Sequence, residues 1–495
     1  MPNKYDVIVI GAGIGGLAVA SLLSKDRKVL VLEKNHTLGG YCSNFKRNGF
    51  TFESAVQSVN GLYRGSPVYE ILNRSQALKG VNIVCPANLY RSIFPDYDIV
   101  VPQANISQYK DLLYSIFPNE SNGINDLFAT FKCIYDEMGD YYRTKVLKRS
   151  PYIVKYCRRS LQELMDSFIK SRELQAIISQ YWMYRGLPPD RFSAITFAYI
   201  WYDYTVNGSY FPESGMWSII DSLVMSIKSN NGEVRGGDKV SKLCVSTDTI
   251  TELVREKGER IRAETIISNI DLFKTFEMLS GEDERTMSLF VKKLHENSLS
   301  ISAFKIYLGL GVDVKDAGVT DYEIFINPSY DVSAMYSSSM SNDFKNVPFS
   351  VTIYSNISDS FCKKGNSVVS ISALSGYDYW QNMTVSEYEQ KKQECADVML
   401  DRCEKVIPGL RTFIKVKVIA TPLTMERYTG NSRGAIYGWN KSSLIDEIRF
   451  INPTTPIKNL LLASHWTKMG GGIGGVLLSS DRTYDIIRNK ERRNS

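Results

Sequence analysis

The sequence predicts an α/β fold, in which a parallel sheet is interrupted twice by a second domain. Three observations carry this. A strand, glycine turn, helix and strand open the chain; a second glycine cluster lies near its other end; a run of short strands lies midway. With 495 residues the chain suits two domains, because single cores stop growing at roughly 250–300 residues.

The first element is "YDVIVIGAGIGGLAVASLLSKDRKVLVLEKNHTLGG", residues 5–40. Tyr5 to Ile10 is a short apolar run, as expected of a strand buried on both faces. It leads into Gly11-Ala12-Gly13-Ile14-Gly15-Gly16, which fits G-x-G-x-x-G at Gly11, Gly13 and Gly16. Gly11 allows the tight turn, Gly13 lets backbone approach a pyrophosphate, and Gly16 lets the helix pack close to the sheet. A helix from about Ile14 to Lys25 then offers unpaired N–H groups to phosphates. Lys28 to Leu32 reads as a second parallel strand, closed by Glu33, 22 positions beyond Gly11. That is close to the spacing of an acid that accepts ribose hydroxyls. A nucleotide-free glycine turn is the bland alternative. The four elements in sequence favour a Rossmann-type nucleotide site.

The residues after Glu33 choose among dinucleotides. Gly39-Gly40 follow it, and "GGYCSNFKRNGFTFESAVQSVNG" continues to residue 61. This stretch resembles the FAD-dependent phytoene desaturase, carotenoid isomerase and retinol saturase family of the flavin amine oxidase superfamily. Near the other end, "PIKNLLLASHWTKMGGGIGGVLLSS" (456–480) resembles that family's closing motif: a strand, Trp466-Thr467, a glycine cluster and a helix. Midway, "GSYFPESGMWSIIDSLVMSIKSNNGEVRGGDKVSKLCV" (208–245) resembles its Tyr-x-Pro, Gly-Met, helix and Gly-Glu strand segment. The chain departs from the family at Ala55 and at Ser464, where glycine is usual.

The resemblance implies FAD, held by Gly11, Gly13, Ile14, Gly15, Gly16, Glu33, Lys34, Gly39, Gly40, Val240, Trp466, Gly472, Ile473 and Gly474. It also implies a GR2-like FAD-binding domain made of residues 1–85, 210–285 and 450–495. A substrate domain, helical plus mixed sheet, then occupies 86–209 and 286–449. Within the FAD domain, a helix from Met216 to Ser229 precedes short strands at 233–235, 240–245, 250–255, 260–263 and 264–271, read as a meander. In the first insertion Leu161, Leu164, Met165 and Phe168 recur at helical spacing. Residues 181–211 are dense in aromatics, which suits either core packing or the wall of an apolar tunnel.

The family moves hydride equivalents, or isomerises double bonds, on conjugated polyenes and related chains. The expected enzyme is therefore an FAD-dependent oxidoreductase acting on an elongated, apolar, unsaturated small molecule, with an unknown electron donor or acceptor. An amine oxidase on the same scaffold and a non-catalytic FAD-stabilised binding subunit are the alternatives. Catalytic candidates are weak. Lys305 lies on a strand that in related amine oxidases brings a lysine near the flavin, though the sequence by itself favours an exposed strand lysine. Glu53 either nears the flavin or caps a turn. Tyr437, with Tyr428 and Arg433, lies where the family keeps a loop beside the substrate.

Composition narrows the rest. Three histidines are too few and scattered for a metal site, although His465 falls inside the closing motif. Eight cysteines with no C-x-x-C suggest reduced thiols. No apolar run reaches transmembrane length, and glycine-rich sequence begins where a secretion leader would stand, so a cytoplasmic setting is expected. The formal charge of +6 is modest and gives no support for nucleic-acid binding. The basic end "RNKERRNS" reads either as a solvated, partly disordered terminus or as attraction to an anionic membrane surface.

Overall fold

The computed structural model describes residues 4–144, 150–281, 290–292, 294–440, 442, 451–467 and 470–494. The sequence-expected boundaries at 285/286 and 449/450 lie outside these residues.

Two sheets organise the chain. The first has eight strands. Lys4–Ile10 sits near its middle, flanked in parallel by Val29–Glu33 and by Arg260–Ser268. Every residue from Val7 to Ile10 is buried, as a β-branched strand covered on both faces demands. Glu233–Gly236 pairs in parallel with Val29–Glu33 at the sheet edge, so it does not belong to the meander that the sequence suggested. The meander consists of Val240–Ser246, Thr249–Arg255 and the start of Arg260–Ser268. The runs 260–263 and 264–271 form one strand, whose second half pairs with Leu460–Leu462 from the far end of the chain.

The second sheet has seven strands, in the order Ile414–Ala420, Ser302–Leu310, Ser367–Ser375, Phe349–Ile353, Glu323–Ile326, Asn88–Ile93 and Asp98–Pro102. All pairings are antiparallel except that of Glu323–Ile326 with Asn88–Ile93. Strand alternation divides its faces. Phe304, Ile306, Leu308 and Leu310 pack into a core with the helix Val385–Cys403. Ala303, Lys305 and Tyr307 project from the opposite face, toward the first sheet.

Helices between Ile106 and Tyr202 make a third layer with its own apolar core. Leu161, Leu164 and Met165 are buried there, but the helix stops at Asp166, so Phe168 lies beyond it. The opening helix, Ile14–Leu23, is two residues shorter than expected and is buried all round. It packs against the last helix, Gly472–Asn494, where Ser480 Oγ donates to Gly15 O at 2.9 Å. The basic end of the chain is thus helical to Asn494, and Arg488 pairs with Asp26. Among the described residues no helix is long and apolar enough to cross a membrane.

Candidate functional site

The opening strand ends at Gly11, whose φ of +97° only glycine adopts without strain. The chain then enters the helix at Gly13 with no side-chain cap, leaving the first N–H groups of the helix unsatisfied by the protein. Glycine is required here by contact as well as by angle. A Cβ on Gly16 would lie 2.3 Å from Gly11 O, and one on Gly15 would lie 2.6 Å from Val476 of the last helix. The segment after the second strand returns to this turn, with Gly39 N–H donating to Ala12 O at 2.8 Å. Glu33 closes the corner by accepting from Ala12 N–H at 2.9 Å and from the Asn35 amide at 2.9 Å.

A cavity of about 380 Å³ begins at these glycines, within the range of roughly 300–1,000 Å³ usual for ligand pockets. Gly11, Gly13, Ile14 and Gly15 line it, as do Glu33, Gly39 and Gly40. From the other end of the chain Gly472, Ile473 and Gly474 line the same space. Gly472, at φ +66°, faces a volume with no protein atom within 4 Å of an added Cβ. Two helix N-termini from opposite ends of the sequence therefore open onto one cavity, which suits an anionic, multi-part ligand. Glu33 has acceptor capacity left for a ribose hydroxyl. These residues fit a dinucleotide.

Six of the sequence-expected residues lie off the cavity wall, Arg433 among them. Gly16 lies beneath the turn, against Gly11. Lys34 Nζ donates to Arg427 O at 3.2 Å. Val240 is buried at the start of its strand, opposite Arg255. Trp466 is fully buried, 5.0 Å from Trp439 between ring centroids. Glu53 is fully buried too, with Oε1 accepting from Met216 N–H at 3.0 Å and Oε2 unpartnered. Of the closing candidates, Tyr428 and Tyr437 line the cavity, whereas Arg433 pairs with Asp378 at 2.6 Å. His465 lines it as well; burial lowers it to about 4, so it is neutral, and its Nε2 has no partner.

Lys305 also lines the cavity, and it is not the exposed strand lysine that the sequence allowed: it is 3 % exposed. It is one of four side chains on, or at the ends of, strands of the second sheet that hold four consecutive carbonyls. Tyr307 OH donates to Ser54 O at 2.5 Å, Lys305 Nζ to Ala55 O at 3.2 Å, and Tyr354 OH to Val56 O at 2.6 Å. Tyr322 OH donates to Gln57 O. The loop carrying these carbonyls forms one side of the cavity. Ala55 needs no positive φ there, so the departure from the family's glycine costs the loop nothing in backbone strain. Ser464, the other departure, is buried on the cavity wall and accepts from Trp466 N–H at 3.3 Å.

Lys305 has two buried acidic neighbours. Burial raises Glu53 to about 8 and Glu323 to about 7, while the Lys305 charge opposes both rises. Burial lowers Lys305 to about 8, against the pull of the same two carboxyls. Tyr184, on the cavity wall, donates to Glu323 Oε2. The adjoining sheet face carries small hydroxyls: Ser372 stands opposite Lys305, Thr352 opposite Glu323, and Ser370 opposite Thr352. All three hydroxyls are buried without a partner. The result is a polar, protonatable floor under part of the cavity.

The far wall is different. Met138, Tyr142, Met183, Tyr199 and Ile200 come from the helical layer, with Phe325 and Leu374 from the sheet. Both readings of residues 181–211 therefore have a share. Trp182, Phe192, Phe197 and Trp201 are core, and Tyr184, Tyr199 and Tyr204 line the cavity. The helix Ala194–Tyr202 runs into a π-turn at Asp203–Asn207, a feature that often marks functional positions. There Asp203 accepts from Asn60 at 2.6 Å, Tyr63 at 2.8 Å and Asn207 at 2.9 Å. Glu323, Arg185 and Asp203 belong to no motif of the sequence, whereas Tyr184 was one of the aromatics of 181–211. A lone acid in a β-branched strand and a lone aspartate after an aromatic helix were the only hints. Among the described residues no cluster could hold a metal ion.

A parallel nucleotide sheet joined through one cavity to a mixed sheet and a helical layer defines an oxidoreductase with a dinucleotide cofactor. Residues 9–75 match the NAD(P)-binding Rossmann-like domain. Over 99% of its length the chain is 25% identical to an all-trans-retinol 13,14-reductase of Danio rerio, covering 87% of that protein. Over 88% it is 26% identical to a chloroplastic prolycopene isomerase of Daucus carota, covering 72% of it. A putrescine oxidase structure, 13% identical, superposes with a TM-score of 0.66 over 98% of this chain and 99% of that one. The protein is an oxidoreductase of the desaturase, saturase and isomerase type, similar in sequence to a retinol reductase and a prolycopene isomerase.

Proposed function

We propose that the chain binds FAD and acts on the C=C or C–C bonds of an elongated, apolar, conjugated substrate. The single observation that carries this is the continuity of the cavity: one space touches both glycine ends and the aliphatic and aromatic wall of the helical layer. Relatives named for retinol and prolycopene, both polyenes, support the substrate class. Bound there, FAD would supply hydride exchange at its ring. The chain's own residues do the rest. The N-termini of the helices Ile14–Leu23 and Gly472–Asn494 would hold the phosphates and the ring edge, and Glu33 would hold the ribose. The loop 54–57, pinned by Tyr307, Lys305, Tyr354 and Tyr322, forms a rigid side wall. Met138, Tyr199 and Ile200 exclude water and align the chain of the substrate. Glu323, through Tyr184, keeps a proton available at neutral pH beside that chain.

The test is anaerobic. The purified chain is loaded with FAD, reduced with dithionite and mixed with all-trans-retinol or a cis-carotenoid, and the yellow absorbance is followed. Reoxidation of the flavin, or isomerisation of the carotenoid with the flavin still reduced, supports the reading. Reduction of oxidised FAD by putrescine and indifference to both polyenes would move the assignment to the amine oxidases. A colourless chain that rejects FAD would end it.

A further inference from the structure

The cations on the cavity wall are not equally provided for. Lys305 has an acceptor at Ala55 O and two acidic neighbours. Asp203, the buried acid at the π-turn, is satisfied by Asn60, Tyr63, Tyr135 and Asn207. Arg185 also lines the cavity, and among the described residues it makes no ion pair and no side-chain hydrogen bond; its Nη1 is buried with no partner.

Its placement is built in. The short helix Gln180–Tyr184 ends at Arg185, whose N–H donates to Trp182 O at 3.1 Å. Gly186 follows at φ +71°, its N–H also bonded to Trp182 O, at 2.9 Å. Its Cα lies so close to the second sheet that a Cβ would stand 2.5 Å from Ile301. The turn fixes where the Arg185 side chain leaves the backbone, and the hydroxyls of Tyr204 and Tyr437 feel its charge. Both tyrosines line the cavity.

A guanidinium keeps its charge and presents a flat fork of donors suited to a carboxylate. Arg185 is only partly buried, but leaving its buried Nη1 unpaired carries a cost that a ligand acceptor would remove. Lys305 already donates to Ala55 O and has two carboxyls beside it, so Arg185 is the cavity cation left without an acceptor among the described residues. We infer that the substrate is amphiphilic: an unsaturated apolar chain whose acidic oxygen end, a carboxylate, is held by Arg185. This rests on the polyene reading above and adds the end group and the direction in which the chain lies.

Two probes of equal length and unsaturation separate the claims: all-trans-retinoate, and its neutral methyl ester. Binding to the FAD-loaded full chain is read from quenching of tryptophan fluorescence. Retinoate should bind at least about tenfold more tightly than the ester, the margin expected of a charge-assisted pair. Arg185→Met should bring the two affinities within about twofold by weakening retinoate alone, with FAD stoichiometry unchanged; Arg185→Lys should keep part of the preference. Equal affinities in the native protein would overturn the inference and leave the polyene reading standing. A Met variant that weakens both probes alike, or that loses FAD, would overturn it too, by giving the arginine to packing or to the cofactor. If neither probe binds the native protein, the polyene reading falls and the end group falls with it. Should the Met variant not fold, the native ratio and the Lys variant still decide.

Discussion

Glu53 is the residue at which burial has the clearest measurable consequence. Its carboxyl is raised from the ordinary 4.5 to about 8 by desolvation, with the Met216 N–H and the Lys305 charge opposing the rise. The folded chain therefore keeps a proton that the unfolded chain releases, and stability falls as pH rises from about 4.5 to about 8, by at most about 1.4 kcal/mol per pH unit for this proton. Glu323, raised to about 7, adds to the fall over the lower part of that range. Lys305, lowered from 10.5 to about 8, acts in the opposite sense: above 8 the unfolded chain binds the extra proton, so stability recovers toward 10.5. Urea midpoints between pH 5 and 9 should pass through a minimum near 8. In Glu53→Gln, which can still accept from Met216 N–H, the fall should be visibly shallower. The recovery should begin at a lower pH, because a charge that helps Lys305 hold its proton is gone. An unchanged slope would mean that Glu53 is ionised in the folded protein. None of this was legible in the sequence. "GFTFESA" shows an acid after a hairpin, but its burial depends on Met216 and Lys305, which are remote in sequence and meet it only through the fold.

At the scale of elements, the legible parts were those whose meaning is local. The opening turn could be read because its glycines answer to contacts within one strand–helix unit. The helix Met216–Ser229 could be read because its apolar stripe is periodic. The loop 54–57 could not. Its geometry is set by Tyr307, Tyr322 and Tyr354, which as isolated tyrosines in strand-like runs look like ordinary sheet residues. Nothing in the sequence says that their hydroxyls cross to the other domain. The same limit applies to the strand Glu233–Gly236, whose place at a parallel edge is decided by its partner Val29–Glu33 and not by its own residues. The clamp on the loop has a direct test. Tyr354→Phe keeps the ring in its aromatic cluster, 5.2 Å from Phe361 between centroids, and removes only the donor to Val56 O. Stranding that carbonyl should lower stability by about 1–3 kcal/mol and loosen one wall of the cavity. FAD should then be retained less well on gel filtration, with little change in the far-ultraviolet spectrum. A variant equal to the native chain in both respects would show that the hydrogen bond is not needed to hold the loop.

Across the whole molecule the chain passes between the two sheets four times. Residues 4–33 lie in the first sheet, 88–102 in the second, 233–280 in the first, 302–420 in the second and 460–462 in the first again. Neither sheet is a contiguous piece, so unfolding either one removes the anchors of the segments that feed the other. The middle strand Arg260–Ser268 needs both Lys4–Ile10 and Leu460–Leu462 beside it, and the opening helix needs the last helix over Gly15. Interleaving of this kind couples two cores that would otherwise melt separately. Guanidinium unfolding should therefore be one transition, coincident by far-ultraviolet circular dichroism and by tryptophan fluorescence. The tryptophans sample every region: Trp182 and Trp201 in the helical layer, Trp380 in the second sheet's core, and Trp439 and Trp466 beside the first. FAD at one hundred times its dissociation constant should raise the stability by about 2.7 kcal/mol and shift both probes together, because its site draws on both ends of the chain. Two separated transitions, with FAD moving only one, would show that the helical layer and second sheet fold independently of the nucleotide domain, and that the continuity of the cavity is not matched by continuity of the cooperative unit.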